Sequence, residues 1–173
     1  GKTIMGVPIL GPLARSRELW EEGAFDAAVV SFTADLDARA EVFEQNVSEG
    51  TPFTNVIDPT ALIHTNVQMG TGNLIMAFSR IGACAVVGDN NFLSSYVNIE
   101  HHNVLGSHCT FGPGISTSGS VRMGNRVKFG TGVFIETFIR IGDNARIASG
   151  SILTTHVPSG AAVKRPADLR VSR

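Results

Sequence analysis

The stretch Ile81-Gly82-Ala83-Cys84-Ala85-Val86-Val87-Gly88-Asp89-Asn90-Asn91-Phe92 decides the fold, because its second half repeats the plan of its first. In each half a large apolar residue precedes a glycine, and a small residue or Asn follows four places on. Stepping by six in both directions from Ile81 gives Ile57, Ile63, Met69, Ile75, Val87, Leu93, Ile99, Leu105, Phe111, Thr117, Met123, Phe129, Ile135, Ile141, Ile147 and Leu153. Sixteen of these seventeen positions are apolar, and Thr117 is the exception. In a chain with 43% hydrophobic residues, a given register does this by chance on the order of once in 100,000. Eight of the seventeen are followed directly by glycine, which explains why the chain holds nineteen glycines. The residues four places on, from Ala61 to Val157, are small, β-branched or Asn, and never charged.

A period of six fits neither the 3.6 of a helix nor the 2 of a simple strand. It fits a parallel β-solenoid in which each hexad supplies one short strand and one corner. With three hexads to a triangular coil, seventeen hexads make between five and six coils. The large apolar residue and the small one four later point inward, and glycine frees the backbone at the corner. No hexad is interrupted, so no loop is expected to protrude.

Residues 1–52 read as a small α/β unit. Ile4–Leu10 and Ala27–Phe32 look like short buried strands, and Arg15–Glu22 like a helix stopped near Gly23. Asp35 is placed to cap a second helix, Leu36–Ser48, ended by Gly50 and Pro52. Strand–helix–strand–helix implies a parallel sheet. Gly1 stands almost inside a strand, as it would if an initial β–α unit were missing, and no GxGxxG phosphate loop is present. The solenoid is expected over 53–158, with a basic tail at 159–173 that carries Lys164, Arg165, Arg170 and Arg173 against Asp168.

The 173 residues carry fourteen Lys+Arg against fifteen Asp+Glu, a net charge of −1, which argues against a general nucleic-acid or membrane-surface binder. No apolar run approaches the ~20 residues of a membrane span, and no signal peptide opens the chain, so a cytoplasmic protein is expected. Cys84 and Cys109 form no CxxC pattern. Cys109 falls in an inward slot as a core residue, and Cys84 falls on an outward one with no base nearby in sequence.

A solenoid is a rod, so chemistry must come from polar residues that break its pattern. The densest break is Asn98-Ile99-Glu100-His101-His102-Asn103-Val104-Leu105-Gly106. His101 sits two places after Ile99 at a corner, and eighteen residues on the same column holds Gly119. An imidazole stacked on a bare glycine backbone suits acyl transfer, with His101 as base and the Gly119 N–H as donor to an oxyanion. His102 is placed to orient His101, to touch substrate, or simply to be exposed at the corner. His64, His108 and His156 are read as decorating turns, and Glu100 and Glu136 as filling corner slots usually held by glycine.

These residues carry a resemblance. The hexads resemble those of the hexapeptide-repeat acyltransferases, which implies a left-handed parallel β-helix. Ile99–Gly106 is similar to the I-x-H-x-x-x-[VIL]-G segment that bears the catalytic histidine in several of them. Gly6-Val7-Pro8-Ile9-Leu10-Gly11, Val56-Ile57-Asp58-Pro59-Thr60-Ala61 and Thr117-Ser118-Gly119-Ser120-Val121-Arg122-Met123-Gly124 resemble, in order, three segments of the sialic-acid O-acetyltransferase and bacillosamine-type sugar N-acetyltransferase family. That resemblance implies acetyl-CoA as acyl donor, an amino or hydroxyl group of a sugar or nucleotide sugar as acceptor in surface-glycan synthesis, and a homotrimer with the cofactor between subunits. It implies that His101 is the catalytic base and Gly119 the backbone donor to the thioester carbonyl, and His102 stands beside them as a further catalytic candidate. It puts Gly119, Gly130, Gly132, Ser149 and Gly150 against the cofactor and Lys164 and Arg165 near its phosphates. Where that family places Asp or Glu after the histidine, this chain has His102.

Two other readings share the architecture. A carbonic-anhydrase-like solenoid binds zinc with histidines in an H-x4-H spacing, but His102 and His108 are separated by five residues and His101 and His108 by six. The other is a non-catalytic trimeric scaffold. Pairing the flat faces of three solenoids would bury outward apolar residues such as Phe78, Tyr96, Phe134 and Phe138.

Overall fold

The computed structural model describes residues 2–164. From Val56 onward the chain winds into a parallel β-solenoid with three sheets, of seven, six and five two-residue strands among the described residues. The seven-stranded face starts at Val56–Ile57, the six-stranded face at Leu62–Ile63 and the five-stranded face at Gln68–Met69. Successive strands of a face pair eighteen residues apart, as Arg80 with Asn98 and Ile81 with Ile99, so three hexads make one coil. Beyond the last hexad the spacing tightens: Ala162–Val163 pairs with Arg146–Ile147 sixteen residues earlier.

The hexad residues fill the interior. Ile81, Leu93, Ile99 and Phe111 have no exposed surface, and neither do the small residues Ala85, Val97 and Cys109. Phe111 stacks on Phe129 with ring centroids 4.8 Å apart. Burial of each large side chain contributes about 1.5–3 kcal/mol. The first coil has no coil before it, so Ile57 remains exposed and Ile63 only half-buried.

Two distinct backbone demands operate at the corners, and the glycines answer the less expected one. From Asn66 to Gly150 the residue three places after each hexad apolar adopts left-handed φ whether or not it is glycine, as in Cys84 (58°), His102 (58°), Phe138 (64°) and Gly114 (68°). Its N–H bonds the corner carbonyl of the previous coil, as His102 N does to Ala83 O at 3.0 Å. The glycine directly after the apolar residue is required instead by the approach of the next coil. A Cβ on Gly106 would stand 2.5 Å from the Gly124 carbonyl oxygen, and one on Gly82 would stand 2.6 Å from the His101 nitrogen.

The N-terminal unit has strands and helices but not the expected parallel sheet. The Ile4–Leu10 run folds back as an antiparallel hairpin, Thr3–Ile4 with Val7–Pro8. Its turn, Met5-Gly6, has φ of 50° and 81°. From Ala27–Phe32, only Ala28 pairs, in a single parallel bridge to Phe53. The helices fall at Ser16–Glu21 and Leu36–Ser48. Asp35 caps the second through bonds from Asp37 N at 3.0 Å and Ala38 N at 3.1 Å. That helix packs Phe43 on Phe53 at 4.5 Å and docks on the solenoid through Phe43, whose ring meets His108 edge to face at 5.6 Å, and through the fully buried Arg39. Arg39 donates to Phe32 O at 2.9 Å and to Asn90 O at 3.3 Å. Burial lowers its pKa to about 10, so it remains charged at neutral pH.

These two demands predict different costs. Gly106→Ala should lose ~3 kcal/mol or more of stability in a denaturant titration, because backbone has to move. Gly114→Ala, whose Cβ meets nothing within 4 Å, should lose only about 1 kcal/mol.

Candidate active site

His101 and Gly119 occupy the corner between the six-stranded and five-stranded faces, one coil apart. The His101 ring lies on Gly119: a Cβ there would be 2.5 Å from its Cε1 and 2.9 Å from its Nε2. The glycine is buried beneath the ring while His101 and His102 are exposed. The two imidazoles meet through their Nδ1 atoms at 3.0 Å.

The Gly119 amide has no acceptor among the described residues, as holds also for Ala83 and Thr137 in the same column, and what sets it apart is the His101 ring over it. Along the neighbouring corner, the turn N–H groups from Thr71 to Asn125 are capped by a side chain of the next coil. Asp89 N bonds Ser107 Oγ at 2.9 Å, Ser107 N bonds Asn125 Oδ1 at 2.8 Å, and Asn125 N bonds Asp143 Oδ1 at 2.6 Å. Beside His101 that ladder is missing, and no group among the described residues accepts from Gly119 N. A donor without a partner, set under a base, is available to an incoming oxygen.

Thr117, the one break in the apolar column, builds the floor of this site. It is buried, and its Oγ1 accepts from Glu100 N at 2.9 Å and from Asn103 Nδ2 at 2.5 Å. Asn103 Oδ1 in turn accepts from Val121 N at 2.6 Å. Sequence reasoning passed over Thr117 as a miss, although its place one coil below Ile99 and two residues before Gly119 was a signal. It also missed Arg80, whose guanidinium pairs with Glu100 while its Nε donates to His64 Nε2 at 3.0 Å. Burial would raise the Glu100 carboxyl, but its hydrogen bond and charge pairing with Arg80 hold it below its ordinary value, so it is ionised at neutral pH.

Two histidines do more than decorate turns. His156 Nδ1 accepts from Arg140 N at 3.2 Å. His108 is buried against Phe43, with Nδ1 3.0 Å from Asn90 Nδ2 and Nε2 3.4 Å from Glu44. Burial lowers its pKa below the usual imidazole value. It therefore joins the helix to the solenoid. Cys109 is a core residue, its thiol pushed up to about 12 by burial, and Cys84 is exposed.

The remaining candidates gather elsewhere. Gly130, Ser149 and Lys164 line a surface groove of about 530 Å³ with Lys128, Arg146 and Ala148. Gly132 and Gly150 are left-handed, at 64° and 73°, with open space where a Cβ would stand. They belong to the corner on the opposite edge of the six-stranded face from His101, so one chain does not bring the two sets together. Arg165 lies outside the described residues. Among the described residues no three His, Cys, Asp or Glu side chains converge as metal ligands, and no helix is long and apolar enough to cross a membrane.

No protein-family model matches the chain. Among solved structures it is similar to PerB of Caulobacter crescentus in complex with CoA and GDP-perosamine, with a TM-score of 0.87 and 25% identity over 92% of this chain and 76% of that one. It is also similar to the acetyltransferase domain of PglB from Neisseria gonorrhoeae in complex with acetyl coenzyme A, with a TM-score of 0.83 and 20% identity over 92% and 77% of the two chains. A curated relative, the acyl-[acyl-carrier-protein]–UDP-N-acetylglucosamine O-acyltransferase of Helicobacter pylori, is 32% identical over 65 residues. That match spans 34% of this chain and 24% of the relative's length. The chain thus shares its hexapeptide-repeat parallel β-solenoid with these solved acetyltransferase structures.

Thr117→Val restores an apolar column yet leaves Glu100 N and Asn103 Nδ2 without their acceptor. We expect it to destabilise by ~1–3 kcal/mol in denaturant unfolding. A gain in stability would show that the column, not the hydrogen bonds, governs this position.

Proposed function

We propose that the protein is a CoA-dependent acetyltransferase that moves the acetyl group of acetyl-CoA to an amino group of a nucleotide-linked sugar. The observation that carries this reading is the His101 ring lying over a buried Gly119 whose N–H has no acceptor among the described residues. The solved structures similar to this chain, PerB with CoA and GDP-perosamine and the PglB domain with acetyl coenzyme A, support the choice of donor and acceptor. We place the reaction in the cytoplasm, in the assembly of a surface glycan.

In this reaction the acceptor nitrogen attacks the thioester carbonyl carbon, forming the C–N bond and sending the π pair to oxygen. The Gly119 N–H receives that oxyanion. His101 Nε2 takes the proton that the nitrogen gives up. As the C–S bond breaks, its electron pair goes to sulfur, and the imidazolium returns the proton to the thiolate.

The cofactor would run along the groove of Gly130, Ser149 and Lys164, with Lys128, Arg146 and Lys164 supplying positive charge for its phosphates and Gly132 and Gly150 leaving room for the pantetheine arm. Because these residues and His101 lie on opposite edges of one face, a complete site needs a second chain, and a homotrimer supplies it. Phe78, Tyr96, Phe134 and Phe138 are exposed and suited to that contact. Light scattering at micromolar concentration should give a trimer mass, and a monomer would count against a site shared between chains.

His101→Ala should lower kcat by about 10²–10⁴ and leave acetyl-CoA affinity nearly intact. Gly119→Val should impair both, since its side chain would enter the space of the His101 ring and the thioester. The assay is thiol release from acetyl-CoA against a panel of nucleotide-linked amino sugars. Wild-type turnover by His101→Ala would remove this corner as the site. Absence of acetyl-CoA binding would remove the reaction itself.

A further inference from the structure

The contact between His101 and His102 carries an inference that rests on the acetyl-transfer reading. Their Nδ1 atoms are 3.0 Å apart, with the rings edge to face at 85°. Two neutral imidazoles that meet nitrogen to nitrogen share one proton: one ring donates Nδ1–H and the other accepts with a lone pair. The donor keeps a free lone pair on Nε2, and the acceptor carries its own proton there. Acetyl transfer distinguishes the two arrangements. The His101 ring lies over Gly119, with Nε2 2.9 Å from where a Cβ would stand and no hydrogen-bond partner on Nε2 among the described residues. A base that takes a proton at that nitrogen needs its lone pair there, so His101 is the ring that donates Nδ1–H.

We propose that His102 is a neutral positioning partner of the base. Its Nδ1 accepts the Nδ1–H of His101 and leaves His101 Nε2 free, and one proton taken up by either ring switches the base off. The logic is one of counting. A proton added to His101 occupies Nε2 directly. A proton added to His102 turns its Nδ1 into a donor toward His101 Nδ1, which must then accept, so that His101 carries its only proton on Nε2. Two protons on the pair would set Nδ1–H against Nδ1–H and break the contact.

The surroundings leave the pair to act through itself. Glu100 offers Oε2 to the His101 backbone N–H at 3.4 Å, and its other oxygen is paired with Arg80, which also holds His64. In the His102 column stand Cys84 one coil before, and Ser120 and Phe138 after. Among the described residues no carboxylate is hydrogen-bonded to either ring.

Three variants separate positioning from mere structure. In His102→Asn the amide oxygen stands where Nδ1 stands, and Asn tolerates the left-handed φ of 58°. In His102→Asp a carboxylate stands there, and in His102→Ala nothing does. With acetyl-CoA and the nucleotide-linked amino sugar, we expect His102→Ala to lose about 10- to 100-fold in kcat with little change in KM for acetyl-CoA. His102→Asn should recover most of that loss. His102→Asp should move the acid limb of the kcat/KM profile up by about one pH unit, because an anion favours the protonated base. Ring-nitrogen NMR of the wild-type protein at pH 8 should show protons on His101 Nδ1 and His102 Nε2. A His101 proton on Nε2, an Asn variant as poor as the Ala variant, or an unmoved acid limb in the Asp variant would overturn the proposal. The NMR result stands without turnover: if no acceptor is acetylated, the acetyl-transfer reading fails, and the spectrum alone decides where the proton sits.

Discussion

Everything in this molecule depends on neighbouring coils lying one strand spacing apart, in register at eighteen residues. That spacing, about 4.8 Å, sets the interior as ladders of like residues and lets one coil complete the hydrogen bonds of the next. It also leaves little room at the corners that carry glycine. There a side chain directly after the hexad apolar would strike backbone, as the Gly82 and Gly106 geometry shows. The same constraint puts the His101 ring on Gly119, because eighteen residues separate them and the glycine has no Cβ to keep the ring away.

The solenoid was legible because a period of six forces inward residues into fixed slots, from Ile57 to Leu153. The small residues four places later gave the second inward row, and the Ile99–Gly106 break marked the histidine corner. The juxtaposition of His101 and Gly119 followed from column arithmetic alone. The reason for the glycines did not: left-handed φ falls two residues further on, at positions such as Cys84 and His102, where residue type gives no warning.

What sequence hid was tertiary in origin. Ile4–Leu10 had the composition of a buried strand but turns back at Met5-Gly6, and Ala28 finds its one parallel partner in Phe53. His108 reads as decorating a turn and Arg39 breaks no pattern, yet both are buried where the Leu36–Ser48 helix meets the solenoid. Nothing in the local pattern around either residue announces a contact with a segment dozens of residues away. Thr117 was visible as an exception, but its purpose appears only with Glu100 and Asn103 placed around it.

The central claim is that the corner of His101 and Gly119 receives the thioester carbonyl. The most direct measurement is the amide resonance of Gly119 in ¹⁵N-labelled protein, followed as a non-transferable acetyl-CoA analogue is added. If the carbonyl oxygen takes that N–H, the resonance moves downfield on binding and its exchange with solvent slows. If the analogue binds, shifting amides near Gly130 and Ser149, while Gly119 keeps its free position and exchange rate, the oxyanion site lies elsewhere and the account is wrong.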